Sequence, residues 1–88
     1  MNRYLPLTGH DSNVPTLLID TQAPLDVLHD AAMYRIRMVT ECLERFAESE
    51  QITKDAIVRC DLARLLGCQL RDGCDLLDVI GWRLKANA

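Results

Sequence analysis

One stretch of the chain, Ala56 to Leu84, limits what the rest can fold into. It holds three of the four cysteines, three of the four glycines and the only tryptophan. Leu62, Leu66, Leu70, Gly73, Leu77, Ile80 and Leu84 recur through it at spacings of three and four, the period of one helix face. Beside that stripe runs a line of small residues: Ala56, Cys60, Ala63, Gly67, Cys74 and Gly81. Small side chains in line let a second helix approach at or below the usual ~8–10 Å axis distance. Each glycine inside a helix costs about 1 kcal/mol against alanine. Three of them on or beside one face imply a contact that offsets the cost. The line therefore reads as a close-packing seam, within the chain or between two copies.

A first helix precedes this stretch. Pro24 suits a helix start, because its missing N–H has no partner there in any case. Asp26 follows in the first turn, where the positive end of the helix dipole favours a carboxylate. Leu25, Leu28, Ala32, Ile36, Val39, Leu43 and Phe46 make one apolar stripe. Val27, Ala31, Tyr34, Met38 and Cys42 make a second beside it. Together they span roughly 200° at ~100° per residue. An ordinary surface helix needs only about half that arc, so this helix is expected to touch at least two others. The connection falls at Glu48–Ile52. Thr53 is the expected N-cap of the second helix, with Ile52 and Ile57 as a hydrophobic staple.

Residues 1–23 differ in character. Pro6, Gly9, Ser12, Asn13 and Pro15 punctuate them, and 9–13 reads as a loop. The short apolar run Val14–Asp20 is expected to be extended, since the residue before a proline is pushed out of the helical region. It reads either as an arm packed across the helices or as a strand that pairs with a second copy or another protein's sheet edge. The expected organisation is a partly disordered N-terminal arm, 1–23, and a helical hairpin domain, 24–88. The fold class is all-α: a two-helix antiparallel hairpin with an irregular arm. One hairpin cannot cover two wide apolar faces, whereas two can, so a homodimeric four-helix bundle is expected; a bound heterologous partner would cover the same surface equally well.

Bulk composition narrows the function. At 88 residues the chain is one domain at most, and a lone core of this size is marginal. Aromatics are only 5%, so the core must be aliphatic. The net charge of −3 argues against general affinity for nucleic acid, which rests on Lys and Arg against phosphate. No apolar run reaches the ~18 residues of a membrane span. The residues from Met1 to Pro6 lack the apolar core of a secretory signal. The expectation is a cytoplasmic protein with reduced thiols.

Chemistry-bearing residues are sparse. Cys42, Cys60, Cys68 and Cys74 show no CxxC and no Cys/His pair at metal spacing, and read as small buried hydrophobes. A thiol-based sensor is the weaker alternative. His10 and His29 have no nucleophile placed beside them by sequence. Asp72, Asp75 and Asp78 recur every three residues and read as a solvated helix face with an Arg71–Asp75 pair, not as a calcium loop. No catalytic, cofactor-binding or metal-binding residue is assigned, and the chain is not expected to be an enzyme.

Two features point to partners. Trp82 stands off the leucine stripe on a face with Ile57, Arg64, Cys68, Arg71 and Val79, and Trp with Arg is the chemistry of interface hot spots. Trp82, Arg71 and Arg64, with Leu17, Leu18 and Ile19 of the arm, are the candidate partner-binding residues; the other reading has the arm cover Trp82. Residues 61–70, DLARLLGCQL, resemble the first helix and turn of the helix-turn-helix family, with Ala63 and Gly67 at its small-residue positions. That resemblance implies a DNA-binding regulator using residues 61–81. The would-be recognition helix carries Asp72, Asp75 and Asp78, which phosphate repels. The preferred reading is a small non-enzymatic protein-protein interaction module, an adaptor, inhibitor or regulator of a larger protein.

Overall fold

The computed structural model describes residues 2–9, 14–48 and 55–87. The chain is mostly helical, with a two-stranded antiparallel sheet ahead of two long helices. The elements are β1 (Tyr4–Pro6), β2 (Leu18–Asp20), α1 (Leu25–Glu48) and α2 (Ala56–Ala86). Contacts at two levels show that the helices run antiparallel. Gly73 lies against Ala32 and Ile36, where a Cβ would come 3.6 Å from Ile36 Cγ1. The Arg83 guanidinium, near the far end of α2, donates to the Ala23 carbonyl just before α1.

The helix ends follow local chemistry. Pro24 precedes the first residue of α1, and the Leu28 N–H donates to its carbonyl at 3.0 Å. Asp26 sits in the first turn and Arg45 in the last, each with the sign the dipole favours. The cap of α2 is Asp55, extended at φ −94° and ψ 110°, whose carboxylate accepts from the Ile57 and Val58 N–H groups at 2.9 and 3.2 Å. This displaces the cap expected at Thr53. Thr53, Ile52 and the rest of the connection, 49–54, lie outside the described residues, as does His10.

The arm is not wholly irregular: part of its extended run pairs with the chain's own first residues. Tyr4 faces Asp20, Leu5 faces Ile19 and Pro6 faces Leu18. The ladder continues past the strands through Leu7 N–H to Leu17 C=O at 3.1 Å and Thr21 N–H to Arg3 C=O at 2.6 Å. The buried Thr21 hydroxyl lies 2.8 Å from the Asn2 and Arg3 carbonyls. Arg3 forks onto Asp20, with both N···O distances 3.4 Å. Asp20 also accepts from the Gln22 N–H at 2.9 Å, and this bond, then Arg3, holds its carboxyl below the ordinary value of 3.8.

This small sheet closes the core. Ile19, Leu28, Ala32, Leu76 and Val79 form the buried cluster, flanked by Leu5, Leu7, Ala23, Ala31 and Ile80. All of it lies at one end of the hairpin, where the start of α1, the end of α2 and the arm meet. Inward positions on α2 are Leu66, Gln69, Gly73, Leu76, Ile80 and Arg83, all buried or half-buried. The stripe read from sequence is therefore rotated only in part: its Leu62, Leu66, Gly73 and Ile80 are buried or half-buried, but Leu70, Leu77 and Leu84 face outward.

Candidate functional site

That rotation joins the outward leucines to the small-residue line. Ala56, Cys60, Ala63, Gly67, Leu70, Cys74, Leu77, Gly81 and Leu84 follow one another in strictly alternating steps of four and three. This is the spacing of a coiled-coil seam, on which every second step returns to the same side of the helix. None of these residues is charged. The strip runs for about 42 Å at ~1.5 Å per residue. Within the protomer it is bare. Leu70 and Leu77 are each 42% exposed and Leu84 55%. Ala56, Cys60, Ala63, Gly67 and Cys74 are exposed as well, and only Gly81 is half-buried.

The glycines of the strip are the telling residues. A Cβ built at Gly67 or Gly81 would meet nothing within 4 Å. Neither has a positive φ, so the backbone does not demand glycine there. Alanine would stabilise the isolated helix at both sites by about 1 kcal/mol each. The protomer alone gives no account of them. Gly73, by contrast, does pack against α1. All four cysteines are exposed in the protomer, so none of them is a buried hydrophobe of its core.

Trp82 lies on another side of α2, 46% exposed and partly covered by the arm. With Leu5, Pro6, Thr8, Ile19, Asp75, Asp78 and Val79 it lines a cleft of about 90 Å³. The arm descends α2 from there. Thr8 donates to Asp75 from its N–H at 2.8 Å and its hydroxyl at 2.9 Å. Gly9 sits against the Arg71 stem, where a Cβ would come 2.7 Å from Arg71 Cγ, and the Cys68 thiol lies 3.8 Å from the Gly9 carbonyl. Arg64 is exposed below this contact. The three aspartates are thus not one solvated face: Asp72 is buried and Asp75 fastens the arm. Leu17 and Leu18 are half exposed, while Ile19 is in the core with 6% exposed and offers no surface to a partner.

Among the described residues, the remaining polar groups lie apart from one another, His29 and Asp30 excepted. His29 lies 3.7 Å from Asp30, with both side chains largely in solvent. A furrow runs along α1 alone, from His29 to Glu41, with Met33, Tyr34 and Met38 among its residues. Among the described residues, no three His, Cys, Asp or Glu side chains gather to hold a metal ion. Arg35 went unremarked in the sequence; it donates to the Ala31 carbonyl at 3.0 Å and its enclosed Nε has no partner among the described residues. α2 continues unbroken through Gly67, whereas a helix-turn-helix needs a turn there. No helix among the described residues is long and apolar enough to cross a membrane. No family model matches the chain, and no curated protein or solved structure matches it.

Proposed function

We propose that the protein is a small non-enzymatic interaction module of the cytoplasm that works as a homodimer, two helical hairpins joined into a four-helix bundle. The observation that carries this reading is the bare, uncharged strip on α2 with its two unexplained glycines. Exposed apolar residues in a continuous line mark an interface more often than a scattered surface does. Glycine at Gly67 and Gly81 is explained if a neighbouring helix lies where the side chains would be. The helix-turn-helix alternative is not favoured, because α2 has no turn at Gly67.

The dimer would serve a larger protein as adaptor, inhibitor or regulator. Trp82 with Leu17 and Leu18, at the arm end of the molecule, is the surface for that second partner. Arg71 and Arg64 extend it down α2. Sedimentation at micromolar concentration tests the dimer: the expected mass is twice the chain mass of 10.0 kDa, and a mass of one chain overturns it. For the second partner, Trp82→Ala should abolish capture of a cognate protein without changing helicity. Retained capture would remove Trp82 from the site.

A further inference from the structure

We propose that the α2 strip is an antiparallel seam between two copies of this chain, crossing near residue 72, with every leucine set against a small residue of the other copy. This rests on the homodimer reading and specifies its geometry. It follows from the order of side-chain sizes along the strip.

The two alternating sets of the strip differ in kind. Cys60, Gly67, Cys74 and Gly81 occupy one set and are all small. Ala56, Ala63, Leu70, Leu77 and Leu84 occupy the other and change from small to large along the helix. In a parallel pair each residue meets its own copy. Gly67 would face Gly67 and Leu70 would face Leu70, so empty layers would alternate with crowded ones, against the close packing of protein interiors. In an antiparallel pair the sets face each other. Centred near residue 72, Cys60 meets Leu84 of the second copy, Ala63 meets Gly81, Gly67 meets Leu77, and Leu70 meets Cys74. The two-fold axis repeats each layer, so the strip from Cys60 to Leu84 is covered without a leucine–leucine layer.

Charge selects the same register. Ile57, Arg64, Arg71, Asp78 and Lys85 flank the seam on one side. Centring near 72 sets Arg64 beside Asp78 of the second copy, twice by symmetry. Sliding one heptad toward the start of α2 sets Arg64 beside Arg71 instead. Sliding one heptad the other way sets Arg71 beside Asp78 but Arg64 beside Lys85, so its charges cancel, and it leaves the first layers unpaired. A parallel pair brings Arg59 against Arg64. The chosen register leaves one unfavourable contact, Arg71 beside its own copy, at the solvated rim where salt screens it.

The test uses the full chain with Cys42, Cys60, Cys68 and Cys74, all exposed, replaced by serine. Into it go Ala63→Cys, Gly81→Cys, or both. Positions 63 and 81 are about 27 Å apart along one helix, so a bond between them must join two copies. Mild oxidation should convert the double variant into a covalent dimer and leave each single variant uncrosslinked. Cross-linking by Ala63→Cys alone would mean a parallel pair and overturn the proposal. So would an uncrosslinked double variant while the four-serine background itself sediments as a dimer. A wild-type mass of one chain would instead remove the dimer itself, so the two failures are distinguishable. Should the cysteine variants lose helicity, the charge pair decides. Arg64→Asp and Asp78→Arg should each weaken dimerisation roughly tenfold, and together restore it; no recovery in the double variant overturns the register.

Discussion

Gly67→Glu separates the protomer from the assembly, because the two predict opposite signs. In the protomer a Cβ at this position meets nothing within 4 Å, so the new side chain enters open solvent. Replacing glycine by a good helix former gains about 0.5 kcal/mol. The new carboxylate stands four residues before Arg71 and three after Arg64, and each such pair adds about 0.2–0.5 kcal/mol. The sum is close to 1 kcal/mol of added stability. In a domain of this size that raises Tm by about 4–8 °C. In the dimer the same carboxylate lands against Leu77 of the second copy and is drawn away from Arg64 and Arg71, which stay at the solvated rim. An unpaired buried charge costs about 3 kcal/mol or more, which would weaken dimerisation by over ~100-fold. The assay is a thermal melt by circular dichroism across a hundredfold range of concentration, with the mass followed by sedimentation. Wild type should melt higher as concentration rises. The variant should melt at one temperature throughout, above the dilute wild type, and sediment as one chain. A variant that keeps the dimer mass would refute the placement of Gly67 in a packed seam.

Leu76→Ala should cost about 2–4 kcal/mol of protomer stability, since Leu76 is buried in the cluster under the arm. Its neighbour Leu77→Ala should cost the dilute protein under ~1 kcal/mol while lowering dimer affinity, because Leu77 is largely outward; denaturant melts and sedimentation read the two. Asp75→Ala removes the acceptor of both Thr8 bonds and should cost about 1–2 kcal/mol, with the arm cleaved faster by protease and Trp82 emission shifted to the red as its cleft opens. Asp20 has a lowered pKa from the Gln22 N–H and Arg3, so its stabilising effect is complete above the ordinary value of 3.8 and fades as pH falls below it. Asp20→Asn should therefore flatten the acid limb of an unfolding profile below about pH 4 and leave the neutral region with only the loss of the Arg3 contact.

The helices were legible because both carry long periodic stripes, and periodicity survives without knowledge of the partner. The rotation of α2 was not. Leu76 and Leu77 are adjacent, and a step of three or four can be drawn through either one. What decides between them is Arg83, which faces inward to reach the Ala23 carbonyl, and Gln69, half-buried two turns from the cluster. A charged residue on an inward face runs against the pattern rule, and only the tertiary contact reveals it. The pairing of β1 with β2 was hidden for a similar reason. Each strand is three residues long and eleven residues separate them, with no tight-turn dipeptide to announce a hairpin. Acidic residues at helical spacing usually face solvent, which is why Asp72 and Asp75 read as a solvated face; here an arm from the other end of the chain fastens on Asp75, and Asp72 is buried.

The distribution of burial bears on why an assembly is needed at all. The buried cluster gathers where the arm closes the hairpin, and among the described residues no second cluster forms toward the connection. There Leu43, Ile57, Val58 and Leu65 are all exposed, with Ile57 at 74%. Helices as long as α1 and α2 owe most of their stability to packing of an apolar face rather than to propensity. In the protomer the first half of α2 has little such packing, yet its Asp55 cap and its continuity into the buried half keep it helical. An antiparallel second copy would place its well-anchored half, Leu77 to Leu84, against exactly this weak half, Cys60 to Gly67. Each copy would then lend its ordered end to the other's bare one, so small side chains at the weak end and leucines at the strong end would form a single device.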